Sequence, residues 1–138
     1  MRRDLGDGYE LDDDADCVDG DAVHAFISRS YWAEGRARAE MERLTREAQR
    51  VVGLYKDGVQ VGYCRAFTDD MSTAYLADVY VLDEHRGRGL GSELVREMIE
   101  NGPYARRRWM LHTRDMHRLY EKFGFGSPSE RVMERPPT

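Results

Sequence analysis

The chain has 138 residues, of which 41% are hydrophobic and 34% charged, and its 21 basic and 26 acidic side chains give a net charge of −5. This size and composition are typical of a single soluble domain over residues 1–138. Because nucleic-acid-binding domains usually carry a basic surplus, the acidic balance disfavours a nucleic-acid partner. No apolar run approaches the roughly 18 residues of a bilayer span, and no signal-peptide core follows the N-terminus. We therefore expect a cytoplasmic protein without a membrane partner.

The predicted elements alternate between strands and helices. In chain order they are a strand at 9–13, helices at 19–30 and 36–48, strands at 50–56, 59–68 and 73–81, a helix at 89–101, a strand at 109–113, a helix at 116–123 and a last strand at 131–135. Asp19 or Asp21 can cap the first helix and Asp115 the last, and Asp57-Gly58 forms the turn of a hairpin. This order predicts a mixed α/β sheet with a crossover.

The two cysteines, Cys17 and Cys64, lack the spacing of a metal site or of a redox pair. Reduced thiols are usual in cytosolic proteins. We therefore expect free thiols and no bound metal.

The most informative segment is a strand, a glycine-rich turn and a helix in residues 79–99. Glycines stand at positions 87, 89 and 91, between the Val-x-Val strand and apolar residues at helical spacing. Such a turn can hold a phosphate, because glycines let main-chain N–H groups approach the anion and the helix N-terminus is partly positive. An ordinary turn between strand and helix is the alternative.

Two common phosphate loops do not fit this segment. A Walker loop needs a lysine after its last glycine, but Gly91 is followed by Ser92. A dinucleotide fingerprint needs a third glycine where this chain has Ser92 or Leu94. The remaining pattern, Arg86-x-x-Gly89-x-Gly91, resembles the pyrophosphate loop of the GNAT-type acyl-CoA N-acyltransferase superfamily.

The order of elements is similar to the GNAT fold over nearly the whole chain. The resemblance implies a mostly antiparallel central sheet that splays apart around the cofactor, about four flanking helices, and acetyl-CoA (coenzyme A) as the cofactor. It also implies which residues contact that cofactor: Val79, Tyr80, Val81, Arg86, Gly87, Arg88, Gly89, Leu90, Gly91 and Ser92.

Tyr120 is the candidate general acid. The segment Leu119–Phe125 resembles the second signature of the family, in which a tyrosine protonates the departing thiolate. The resemblance also implies that a main-chain amide of residues 79–81 binds the acyl carbonyl oxygen. Alternatively, Tyr120 packs on an apolar face of its helix.

The general base is left open between several residues. An alkyl amine has a pKa near ~10, so its proton must be removed before it attacks. His112 is a candidate because imidazole titrates near neutral pH, although a histidine on a strand is often structural. Asp78 is a second candidate, and pairing with an arginine is its alternative role. Glu34 is a third.

Tyr31, Trp32 and Glu34 follow the first predicted helix, where the family forms its acceptor pocket. They can form a wall for a cationic or aromatic amine, or they can be core residues. An acidic surface favours a cationic substrate.

These observations predict an N-acetyltransferase that moves an acetyl group to a primary amine by direct attack in a ternary complex. The amine can belong to a small molecule or to a protein. A CoA-binding sensor or scaffold without turnover is the alternative. Only about a dozen residues follow Phe125, so the closing strands of the fold are compressed or supplied by another subunit, and a homodimer is possible.

Overall fold

The computed structural model describes residues 2–137, which form one six-stranded sheet with four helices. The strands are β1 (Arg2–Gly6), β2 (Tyr9–Asp12), β3 (Arg50–Lys56), β4 (Val59–Thr68), β5 (Thr73–Val81) and β6 (Arg108–Met110). The helices are α1 (Gly20–Ile27), α2 (Arg38–Glu47), α3 (Leu90–Ile99) and α4 (His117–Glu121). The strands lie in chain order, and only the pair β5–β6 is parallel. The predicted fold class is confirmed.

One predicted strand and one predicted strand boundary at the C-terminal end are wrong. Residues 131–135 form no strand, and every one of them is exposed, so no neighbouring strand stabilises them there. The strand at 109–113 is shorter, and β6 ends at Met110.

One predicted helix cap is wrong, and one strand was not predicted. Met116, not Asp115, stands at the N-cap of α4, where its N–H donates to Thr113 Oγ1 at 3.0 Å. The chain also begins with β1, which was not predicted because its sequence is charged and its side chains are half exposed. Arg3 of β1 donates to buried Glu97 at 2.7 Å.

The sheet separates two apolar layers. Since side chains of a strand alternate between its faces, one face of β3 to β5 contacts α3 and the other contacts α1 and α2. The α3 layer is built from Leu11, Val52, Leu54, Cys64, Ala66, Leu76, Leu90, Leu94, Val95 and Met98. The α1–α2 layer is built from Val23, Ile27, Met41, Val51, Tyr63 and Tyr80.

The strands β5 and β6 diverge after a short parallel ladder. Only Thr73–Tyr75 of β5 pair with β6. Within residues 2–137, no strand pairs with that edge of β5 from residue 76 to residue 81. The sheet therefore opens at this edge.

A bulge in β5 lies within this open stretch. Tyr63 pairs with Tyr80 and Arg65 with Ala77, so a single β4 residue faces two β5 residues. Asp78 has a φ of +54°, a left-handed conformation that aspartate tolerates better than most residues. Bulges bend a strand and change the direction of its side chains.

The carboxylate of Asp78 is buried and accepts three hydrogen bonds. Trp32 Nε1 donates to Oδ1 at 2.7 Å, while Arg36 Nη1 at 2.9 Å and Arg65 Nε at 2.6 Å donate to Oδ2. The Asp78 side chain is only 1% exposed. These contacts fix the bulge to β4 and to the loop between α1 and α2.

We predict that Asp78→Asn lowers the free energy of unfolding by about 3 kcal/mol, because it leaves the buried Arg65 and the partly buried Arg36 without their counter-charge. Asparagine tolerates the left-handed backbone, so the change isolates the loss of charge. Urea unfolding measures the effect. Met71→Ala, at a side chain that is 82% exposed, is the control and should change stability little. A loss below 1 kcal/mol for Asp78→Asn would show that the cluster does not stabilise the fold.

Candidate active site

A cleft of about 1050 Å³ opens along the unpaired edge of β5. The glycine loop, residues 86–91, lies at one end of the cleft, and the loop between α1 and α2 lies at the other. The segment from Leu111 to Lys122 supplies the wall opposite β5. Most of the predicted site residues therefore meet in one cavity.

The glycine loop presents main-chain donors to this cleft. Gly87 and Gly89 have φ values of +80° and +76°, so the loop needs residues that adopt the left-handed region easily. Leu90, Gly91 and Ser92 open α3, and the first N–H groups of a helix have no partner in a preceding turn. Together with the positive end of the helix dipole, these donors fit an anion such as the diphosphate of CoA.

Basic side chains surround the same end of the cleft. Arg86 Nε donates to the Val81 carbonyl at 2.9 Å and thereby ties the loop to the end of β5. Lys122 Nζ donates to Ser92 Oγ at 3.3 Å, and Arg118 lines the wall one turn before it. Arg88 is exposed and does not line the cleft.

Arg118 and Lys122 were not predicted as part of the site. Their spacing of four residues places them on one side of α4 and is the signal that sequence analysis could have used.

The unpaired edge of β5 presents its own N–H groups to the cleft. A Cβ on Gly62 would lie 2.9 Å from the Tyr80 carbonyl oxygen, which therefore points toward β4. Because successive peptide groups of a strand point to opposite sides, the N–H groups of Val79 and Val81 face the cleft. These two amides can bind a carbonyl oxygen.

Tyr120 lies where the cleft meets the α3 layer. Its side chain is largely buried, and its ring contacts Phe125 edge-on at a centroid distance of 5.8 Å. Burial raises the pKa of the Tyr120 phenol, so the group stays protonated at neutral pH. Its hydroxyl has no hydrogen-bond partner in the part of the chain from 2 to 137. A neutral phenol at the cleft wall can donate a proton to a bound group.

His112 lies two residues beyond the end of β6, not on that strand. It is exposed and lines the cleft, with Nδ1 hydrogen-bonded to the Tyr75 hydroxyl and Nε2 to the Glu134 carboxylate. Such a chain of groups can orient an imidazole and carry a proton. Sequence analysis missed Tyr75 and Glu134, since their distances along the chain from His112 carry no signal.

Asp78, the second predicted base, forms ion pairs with Arg36 and Arg65, which is the alternative role expected for it. His112 has the more accessible position, because the Asp78 carboxylate already accepts three hydrogen bonds.

The end of the cleft away from the glycine loop, where the acceptor is expected, contains Tyr31 and Trp32 but not Glu34, which is exposed and outside the lining. The Tyr31 hydroxyl accepts from the main-chain N–H of Arg114 at 2.9 Å, and the Arg114 guanidinium lies 3.9 Å from the centre of the Tyr31 ring. The loop between α1 and α2 thus contacts the opposite wall.

Two arginines at this end, Arg36 and Arg65, were also not predicted. Sequence analysis could have found Arg65, because this charged residue shares one face of an apolar strand with Tyr63 and Phe67.

Comparisons with known proteins agree with this architecture. The model of the Acetyltransferase (GNAT) family matches residues 19–125. A crystal structure of a GNAT-family protein from Xanthomonas campestris pv. campestris has a TM-score of 0.86 and 33% identity, and the match covers 94% of this chain and 93% of that one. An aminoglycoside N-acetyltransferase in complex with CoA shares the fold alone, with a TM-score of 0.65, 14% identity, and 96% and 97% coverage.

Among curated proteins, a candidate acetyltransferase of Gibberella zeae is 38% identical over 68 residues. That match covers 47% of this chain and 38% of the fungal protein, so it spans well under half the length of this relative. The family match covers most of the chain and includes the glycine loop, the open edge of β5 and Tyr120. The chain belongs to the GNAT acetyltransferase family.

Proposed function

We propose that this protein is an acetyl-CoA-dependent N-acetyltransferase that acts on a primary amine by direct attack in a ternary complex. One observation carries the proposal. A single cleft brings together the anion-binding start of α3, the unpaired edge of β5 and the buried phenol of Tyr120. Acyl transfer from a CoA thioester needs a site for each of these interactions.

The chain binds and orients the two substrates from its two loops. Main-chain N–H groups of Leu90, Gly91 and Ser92 bind the diphosphate, and Arg118 and Lys122 add positive charge. Bound acetyl-CoA would supply a thioester carbon that an amine can attack. The N–H of Val79 or Val81 donates to the carbonyl oxygen as negative charge develops on it.

The proposed reaction moves two protons. The amine nitrogen bonds to the acyl carbon and the carbon–sulfur bond breaks. The Tyr75 hydroxyl takes the proton of the amine and passes its own proton to His112 Nδ1, and Glu134 holds the imidazole in place. Tyr120 gives its phenol proton to the departing sulfur.

The fold shared with an aminoglycoside N-acetyltransferase that binds CoA supports CoA as the donor by analogy. The acceptor can be a small-molecule amine or a protein amine. A homodimer stays a prediction, because the outer edge of β6 has no strand neighbour within residues 2–137.

We predict that Tyr120→Phe lowers kcat by about 10²- to 10⁴-fold and leaves the affinity for CoA unchanged, because only the proton donor is lost. Acetyl-CoA consumption with a panel of amines gives kcat, and isothermal titration calorimetry gives the affinity. In the native enzyme, the raised pKa of Tyr120 keeps the phenol protonated, so this group causes no loss of activity between pH 7 and pH 9.

The same pair of measurements separates the enzyme from a sensor. A CoA-binding protein without turnover on any amine would favour the sensor. Failure of both CoA and acetyl-CoA to bind would rule out both functions.

A second change tests the glycine loop. Gly89→Ala should weaken CoA binding about tenfold, because alanine is disfavoured at a φ of +76° and the free loop relaxes into a conformation that cannot bind. Gly126→Ala is the matched control, since Gly126 has no positive φ and a Cβ there has no neighbour within 4 Å. Equal affinity of the two variants, measured by calorimetry, would contradict the assignment of the loop.

A further inference from the structure

The Arg65 side chain is largely buried, and its guanidinium is only partly paired. Its side chain is 10% exposed, and its Nε donates to Asp78. The two terminal nitrogens donate no hydrogen bond to any residue between 2 and 137, although Arg65 lines the cleft. These nitrogens are not among the fully buried unpaired atoms of residues 2–137, so they are accessible from the cleft. The free donors of Arg65 are therefore available to an acceptor that comes from outside the chain.

The charge around Arg65 is also unbalanced. Arg36, with a side chain 18% exposed, shares the Oδ2 atom of Asp78 with Arg65. Two guanidinium groups thus face one carboxylate, which leaves an excess of one positive charge at the acceptor end. Water in the open cleft solvates this charge, but a ligand that displaces the water must bring a compensating group.

We propose that the acceptor is an amine that also carries a carboxylate, and that Arg65 binds this carboxylate with help from Arg36. The proposal rests on the proposed acetyl transfer and names the class of acceptor. A carboxylate has one negative charge, which matches the excess, and two oxygens in a plane, which match the fork of a guanidinium. This acceptor differs from the cationic amine expected from the acidic composition.

The distance from Arg65 to the acyl site suits a small amino acid. Arg65 pairs with Ala77 across the β4–β5 ladder, and Ala77 precedes Val79 by two residues, which is at most roughly 7 Å because the bulge at Asp78 shortens the strand there. A molecule whose amine and carboxylate share one carbon can therefore reach both the acyl carbon and the guanidinium.

Aromatic side chains line the same end of the cleft. The rings of Phe67 and Tyr75 stack at 4.9 Å, and Trp32 is 40% exposed. An apolar or aromatic side chain on the acceptor would contact these rings. Phenylalanine is thus a suitable probe, and phenylethylamine is its matched partner without the carboxylate.

The test compares kcat/KM for phenylalanine and phenylethylamine with acetyl-CoA. We expect the native protein to prefer phenylalanine at least tenfold. Arg65→Met should reduce this preference about tenfold or more, where the preference is the ratio of kcat/KM for the two probes within the same variant. Arg43→Gln, which removes an exposed arginine of α2 outside the cleft, should keep the native preference.

A binding measurement separates this proposal from the proposed function. NMR titration with both probes in the presence of CoA should show tighter binding of phenylalanine, and Arg65→Met should remove the difference. If phenylalanine binds more tightly in this way but neither amine is acetylated, the proposed acetyl transfer is wrong and the proposed carboxylate site is supported.

Two results overturn the carboxylate site. In the first, phenylalanine binds no more tightly than phenylethylamine. In the second, neither probe binds. If Arg65→Met does not fold, Arg65→Lys replaces it. That variant keeps the charge beside Asp78 but loses the planar fork, so it should lose part of the preference for phenylalanine.

Discussion

The separation of β5 from β6 is the constraint on which the rest of this structure depends. Only three residues of β5 pair with β6, and the bulge at Asp78 then changes the direction of the strand. Both the outward-facing amides of Val79 and Val81 and the cavity proposed for the acceptor lie along the resulting open edge. The bulge is held by a buried carboxylate that also anchors the loop carrying Trp32 and Arg36. One side chain thus connects the shape of the sheet to the wall of the cleft.

The charge of the cleft is opposite to the charge of the chain. The protein has a net charge of −5, yet its cleft is lined by six basic and two acidic residues, which are Arg36, Arg65, Arg86, Arg114, Arg118, Lys122, Asp78 and Asp115. Basic groups at the glycine loop suit a diphosphate, and those at the other end suit a second anion. Net charge therefore describes the outer surface of this protein but not the chemistry of its site.

Local patterns predicted the parts of the fold that depend on local interactions. Asp19 caps α1, the Asp57-Gly58 turn joins β3 to β4, and the glycine loop leads into α3, because each depends on neighbouring residues. The cluster around Asp78 and the chain from Tyr75 through His112 to Glu134 join residues far apart in sequence. These contacts arise only when the sheet assembles. For the same reason, the strand composition of residues 131–135 was misleading, since no partner strand lies beside them.

Amide hydrogen exchange with and without saturating CoA tests most directly whether one cleft binds the donor at both the loop and the strand edge. We expect slower exchange in peptides that cover residues 79–92, because their unpaired N–H groups become hydrogen-bonded or shielded from water. Residues 2–12, on the opposite edge of the sheet, should be unchanged. If CoA binds but exchange in residues 79–92 does not slow, the account is contradicted.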